Sequence, residues 1–308
     1  MFRLIYVPLD GSSFAEEAIP VALMLARGAG SEVKFLLAHE PALALVPAGE
    51  AFMVPPPDEA ALRASELAYL AAAVDRFAVP GCRPEYQLLE GVPGPALLES
   101  IGGDPPDLVV MATHGRGAFR RLWLGSVADQ VIRESQVPVL LIHPRGDLAA
   151  EAAPRVQRIL VATDLSRQSK AILEPVRDLA RLVEGHVTLV HVVEAIAAAN
   201  MDGVLPYPVA VDGGRITDRA ATARTRLEWL AADLVSEGVP ATTRVEIGGS
   251  VALTLIQLMQ EAQYDVLALT THGRSGFKRA VLGSVADKMI RTGEKPILIL
   301  RPPETAAE

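Results

Sequence analysis

The sequence predicts an α/β fold built twice, as two tandem domains that each wind helices around a parallel sheet. Three observations lead there. Short, continuously apolar runs alternate with segments of helical period, the pattern of a parallel sheet covered on both faces. The order of these segments restarts near residue 156. One motif also stands twice: Met111-Ala112-Thr113-His114-Gly115-Arg116-Gly117 leads to Leu124-Gly125-Ser126-Val127-Ala128, and Leu269-Thr270-Thr271-His272-Gly273-Arg274-Ser275 leads to Leu282-Gly283-Ser284-Val285-Ala286. The spacing from Gly115 to Gly125 equals that from Gly273 to Gly283.

In the first half, Phe2 to Leu9 reads as a strand running into Asp10, and Ser13 as the cap of a helix reaching about Gly28. Glu32 to His39 is the second strand, and the Pro/Ala-rich Pro41 to Pro57 is a loop. A long helix over about Asp58 to Phe77 precedes a strand over about Arg83 to Leu89 and a short helix, Pro93 to Ile101. Leu108 to Met111 is a strand, Ser126 to Ser135 a helix and Val137 to Ile142 the last strand. In the second half the strands are Val156 to Ala162, His186 to Val193, Ala241 to Glu246, Val266 to Leu269 and Ile297 to Leu300. Its helices run to about Val183 and over about Ile216 to Val235, Val251 to Glu261 and Ser284 to Thr292, with a loop from Ala195 to Gly214. The domains are therefore expected at 1–144 and 156–302, with a linker over 145–155 and a disordered tail over 303–308. Right-handed crossovers then give a doubly wound sheet in each half.

The totals agree. A chain of 308 residues is long for one core, and 50% hydrophobic with only 5% aromatic residues suits Ala-, Val- and Leu-rich helices packed on sheets. The net charge of -8 argues against nucleic acid or an anionic membrane as the main partner. No apolar stretch is long enough to span a bilayer, and the first residues form a strand rather than a signal sequence, so the expected location is cytoplasmic. Cys82 is alone, which excludes an internal disulfide and suits a reduced thiol.

With strand order 3-2-1-4-5, the order reverses between the first and fourth strands, and ligands bind at the carboxyl ends of strands there. Asp10 and His114-Gly115 converge on that crevice, as do Asp164 and His272-Gly273. Gly115 and Gly273 let a backbone approach a ligand or take positive φ. Gly125-Ser126 and Gly283-Ser284 open helices whose N–H groups suit phosphate oxygens, with the serines as N-caps. Asp10 and Asp164 can accept from ribose hydroxyls. Arg116 and Arg274 can reach phosphate or form ordinary surface ion pairs.

At these residues the chain resembles the universal stress protein family in its tandem form. The family motif is Gly-x-x-Gly, a nine-residue gap, then Gly-Ser/Thr; its later glycines match Gly115 and Gly125, and Gly273 and Gly283. Ala112 and Thr270 replace its first glycine, and threonine brings a β-branched side chain beside the expected ribose. The resemblance implies a Rossmann-like, adenine nucleotide alpha hydrolase-like fold holding ATP, with Mg²⁺. The implied first site is Pro8, Leu9, Asp10, Glu40, Met111, Ala112, His114, Gly115, Arg116, Gly125, Ser126, Val127 and Ala128. The implied second site is Ala162, Thr163, Asp164, Val192, Leu269, Thr270, His272, Gly273, Arg274, Gly283, Ser284, Val285 and Ala286. It also implies that the last strands pair antiparallel, so that one chain imitates the family's homodimer; further homodimerisation of whole chains stays open. No dedicated water-activating base stands out, so the expected activity is weak ATP turnover at most. Two rival readings remain, a nucleotide-free interaction scaffold and an ATP-hydrolysing enzyme of the same fold. The second lacks its Ser-Gly-Gly-x-Asp-Ser loop.

Overall fold

The first repeat consists of β1 (Leu4–Leu9), α1 (Ser13–Glu16), α2 (Ile19–Ala29), β2 (Glu32–His39), α3 (Glu59–Phe77), β3 (Glu85–Glu90), α4 (Pro93–Gly103), β4 (Leu108–Ala112), α5 (Ser126–Glu134) and β5 (Val139–Ile142). The second consists of β6 (Arg158–Ala162), α6 (Arg167–Lys170), α7 (Leu173–Leu182), β7 (His186–Glu194), α8 (Gly213–Ser236), β8 (Ala241–Gly248), α9 (Val251–Glu261), β9 (Val266–Thr270), α10 (Ser284–Thr292) and β10 (Ile297–Leu300). The computed structural model describes residues 2–41, 58–113, 124–144, 155–195, 213–261, 264–271 and 282–303. The two expected long loops, the linker, the end of the tail and the loops carrying His114-Gly115-Arg116 and His272-Gly273-Arg274 lie outside these residues, wholly or for the most part.

The helix expected after each first strand is two helices. Proline lacks an N–H and clashes with the carbonyl four residues back, so it is tolerated only in a first turn. Pro20 and Pro175 each stand in the first turn of the second piece, which restarts the helix there. Ser12, not Ser13, is the cap: its hydroxyl accepts from the Ala15 N–H at 3.2 Å. Asp58 caps α3 in the same way through Ala61.

All ten strands belong to one sheet, in the order β3-β2-β1-β4-β5-β10-β9-β6-β7-β8. Each half has the expected 3-2-1-4-5 order and is parallel throughout. Among the ten described strands, the one antiparallel pair is β5 with β10, where Leu140 stands opposite Leu298. Both are fully buried. The inner strands are covered on both faces, as their apolar runs predict. The outer strands are not: in β3 the side chains of Glu85, Tyr86 and Gln87 are exposed, which leaves a polar margin that discourages further pairing.

Each face of the sheet carries one core shared by both halves. On one face Ile5, Leu25, Phe35 and Leu70 join Ile159, Leu179, Leu189 and Leu227. On the other Leu97, Val131 and Ile132 join Leu255, Met289 and Ile290. The junction has reciprocal polar ties. His143, just past β5, places its ring nitrogens 3.0 and 2.9 Å from the carbonyls of Lys295 and Ile290. Arg301, just past β10, donates to the Glu134 carbonyl at 3.0 Å. Ile290 and Glu134 lie in the last turns of α10 and α5, where carbonyls lack intrahelical donors. Burial pushes the His143 pKa below the ordinary histidine value, against the pull of the two carbonyls.

Two measurements follow from this architecture. Leu140→Ala removes buried atoms from the junction and should cost about 2–5 kcal/mol. Calorimetry should then show one unfolding transition for the whole chain, shifted down; two transitions with only one displaced would contradict a shared core. Separately, Glu184 takes φ 50° at the turn after α7, where Gly30 with φ 67° ends α2. Glycine adopts that region without the side-chain clash, so Glu184→Gly should raise the stability by about 0.5–1 kcal/mol, whereas Gly30→Ala should lower it.

Candidate functional site

β1 pairs with both β2 and β4, so the reversal of strand order in the first half falls between β1 and β4. In the second half it falls between β6 and β9. A parallel sheet leaves the carboxyl ends of these strands splayed apart, because their connections depart to opposite faces. At the first reversal there is a cavity of about 700 Å³.

Most of its walls come from four places. Pro8, Leu9 and Asp10 end β1; Met111, Ala112 and Thr113 end β4; Gly125, Ser126, Val127 and Ala128 open α5; and Leu36, Leu37, Ala38 and Glu40 come from the end of β2. Every expected first-site residue among the described ones therefore lines one cavity. His114, Gly115 and Arg116 lie outside the described residues. α3 adds Leu62 and Glu66, which no motif marks, since their approach depends on how a distant helix packs.

Local hydrogen bonds explain how the motif is set. The Thr113 N–H donates to the Ile142 carbonyl at 2.9 Å, and the Gly125 N–H donates to the Thr113 carbonyl at 2.8 Å. The chain thus returns to the end of β4 before α5 begins. The second half repeats this, with Thr271 to Leu300 at 2.9 Å and Gly283 to Thr271 at 2.9 Å. Both threonines are 1% exposed. Gly125 and Gly283, in extended conformation, are the N-caps, and neither has a side chain to cap its helix. Ser126 and Ser284 are the first helical residues, which corrects the expectation that they cap. A glycine cap leaves first-turn N–H groups without a side-chain acceptor, at the positive end of the helix dipole.

Asp10 is held by its own turn. Its Oδ1 accepts from the Ser12 N–H at 2.9 Å and from the Ser12 hydroxyl at 2.6 Å. Asp164 Oδ1 accepts from the Ser166 N–H at 3.0 Å. At the next position Gly11 has φ 79° and its counterpart Leu165 has φ 63°, braced by its N–H donating to Thr163 Oγ1 at 3.0 Å. In the second half, Ala162, Thr163 and Asp164 follow or end β6, Leu269 and Thr270 end β9, and Ser284, Val285 and Ala286 open α10. His272, Gly273 and Arg274 lie outside the described residues.

The registers alter one equivalence. Asp107 accepts from the Leu4 N–H, and Asp265 from the Arg158 N–H, so Leu4 and Arg158 are counterparts. Leu4 stands opposite Glu32 and Arg158 opposite His186. Counting along, Val192 corresponds to Ala38, and Glu40 to Glu194. The histidine dipeptides His39-Glu40 and His191-Val192 look alike but stand two residues apart in the sheet. Ala38 is the residue the sequence pattern missed.

The electrostatics of the cavity are uneven. Its described lining holds Asp10, Glu40 and Glu66 and no lysine or arginine. Among the described residues, no group of three or more His, Cys, Asp or Glu side chains could hold a metal ion. No helix among them is long and apolar enough to cross a membrane.

Fold and cavity together define a duplicated, doubly wound α/β protein with a strand-order reversal in each half. The family model described as "Universal stress protein family" matches residues 1–143 and again 155–301, and the chain belongs to that family. It is 36% identical to a universal stress protein of Thermus aquaticus over 144 residues, 46% of this chain and all of that protein. It is 26% identical to one of Mycobacterium bovis over 216 residues, 70% of this chain and 68% of that one. In fold it is similar to the crystal structure of a universal stress protein from Archaeoglobus fulgidus, with a TM-score of 0.67 and 18% identity over 97% of this chain and 98% of that one.

The capping assignment is directly testable. Ser12→Ala should lower stability by about 1 kcal/mol, whereas Ser126→Ala should change it by less than about 0.5 kcal/mol. Equal losses in urea unfolding would show that Ser126 caps after all.

Proposed function

We propose that the chain binds an adenine nucleotide, ATP with Mg²⁺, at the reversal in each half. It would act as a nucleotide-holding module of the stress response, with slow turnover at most. The observation that carries this reading is the cavity itself, in which a glycine-capped helix N-terminus faces the same space as apolar strand ends. That is the polarity of a nucleotide. Its volume lies within the range of small-molecule sites.

Phosphates would lie against the N–H groups of Gly125 through Ala128, where backbone donors and the helix dipole favour an anion. With carboxylates and no basic side chain in the described lining, these donors must outweigh local repulsion, helped by Arg116 from the motif loop. The ribose would sit beside Asp10, whose carboxylate accepts hydroxyl hydrogens. The base would lie against Leu36, Leu37 and Ala38. Mg²⁺ keeps most of its waters and takes one or two carboxylates with the phosphates, so it needs no protein cage, and Asp10 is the carboxylate at the strand end. The second site would use Asp164, Val192 and the α10 N-terminus with Gly283 and Ser284. Thr270 would narrow it where the family motif has glycine.

Gly125 has φ -60° and ψ 147°, a conformation open to any residue, so valine fits its backbone and tests the space beyond it. Gly125→Val should leave far-UV dichroism native and remove one ATP per chain in calorimetry. Undiminished stoichiometry and affinity would exclude this site.

A further inference from the structure

The outer wall of the first cavity is α3, which supplies Leu62 and Glu66. One tie from its first turns to the sheet is His39, the last residue of β2 and 2% exposed. His39 Nδ1 lies 2.7 Å from Glu66 Oε2, and its Nε2 lies 2.9 Å from Glu59 Oε2. Both ring nitrogens therefore face carboxylate oxygens. An ionised carboxylate only accepts, and a neutral imidazole has one N–H and one lone pair. The neutral ring can satisfy one of these contacts and sets its lone pair against the other. The imidazolium satisfies both.

We propose that His39, as the imidazolium, is a positioning residue for the first site: it clasps α3 through Glu59 and Glu66, and the grip on the nucleotide weakens as the ring loses its proton. The second half has no histidine at this place, because the register puts Val193, fully buried, at the equivalent position. The inference rests on the nucleotide reading for its ligand but not for the clasp itself.

The surroundings of the ring favour the charged form. α3 brings Glu59, Glu66 and Arg63 near it, β3 brings Glu90 directly opposite in the sheet, and Glu40 follows on its own strand. Arg63 is paired with Glu90 through two bonds of 2.7 and 2.5 Å, so it neutralises that carboxylate and leaves Glu59 and Glu66 to the histidine. The Glu66 bond does most to raise the His39 pKa above the ordinary histidine value, against the cost of burial, with Glu59 adding to it. A raised value means that the clasp is complete below the unfolded histidine pKa of about 6.5 and is lost as pH climbs through the folded value.

The test compares ATP affinity from about pH 6 to about pH 9 for the wild-type chain, His39→Gln and Glu59→Gln. The second site is disabled in all three by Gly283→Val. Wild type should weaken about tenfold across the range, the worth of one hydrogen bond to a charged group. His39→Gln should be weak and flat, since both N–H bonds of glutamine stem from one nitrogen and cannot reach the two places the ring nitrogens occupy. Glu59→Gln should be tight and flat, because its amide donates to a neutral ring that still donates to Glu66. A merely structural histidine would not produce that rescue. Identical profiles for wild type and His39→Gln would overturn the proposal. A parallel measurement needs no ligand: hydrogen exchange of the α3 amides at one fixed pH should be faster in His39→Gln than in wild type, and equal protection would overturn the clasp. If no variant binds ATP but α3 still loosens, the nucleotide reading fails and the clasp stands.

Discussion

Everything in this chain depends on three residue pairs at the centre of the sheet, Leu141 with Ile297, Leu140 with Leu298 and Val139 with Ile299. Alone, either half would end in a short, wholly apolar strand with an unpaired edge, an invitation to association. Antiparallel pairing removes both edges at once and lets the cores on the two faces run through from one half to the other. The polar ties add direction. The Glu134 carbonyl at the end of α5 accepts from Arg301 of the opposite half, and the Ile290 carbonyl at the end of α10 lies beside a ring nitrogen of His143.

The same parallel order that makes the core also makes the crevice. Connections leaving β1 and β4 to opposite faces open a space that no side chain has to fill, and the bond from Gly125 to Thr113 aims a helix N-terminus into it. A serine or aspartate cap in place of Gly125 would have stabilised α5 by only about a few tenths of a kcal/mol while occupying one of those donors. Glycine leaves them available. The site thus carries a small local deficit of helix stability, offset by the buried apolar face of α5 at Ala128, Val131 and Ile132.

Much of this was legible in the residues. Apolar runs of strand length and the duplicated glycine motif gave the strands and the repeat, and the 3-2-1-4-5 order taken for each half is the one observed. The first-site residues from β1, β4 and α5 could be named because a motif fixes them locally. What escaped was set by packing or register. Ala38 was hidden because His39-Glu40 mimics His191-Val192, and a shift of two keeps the same face of the strand. Leu62 and Glu66 approach through α3, whose orientation no local pattern encodes. The helix break before Pro20 follows from the missing proline N–H, although the apolar periodicity runs straight across it. The serine cap was off by a residue, since Ser12 and Ser13 are chemically alike and only backbone geometry separates them.

The fused junction also bears on how such a chain can change. When two identical subunits meet across a two-fold axis, every substitution appears on both sides, and any asymmetric role is closed to them. Here the covalent link removes that requirement while keeping the symmetric contact. Gly11 corresponds to Leu165 and Gly30 to Glu184, so one half has glycine where the other holds a strained backbone, and His39 corresponds to Val193. Covalent fusion gives each half the freedom to drift toward its own task while the other preserves the shape both need.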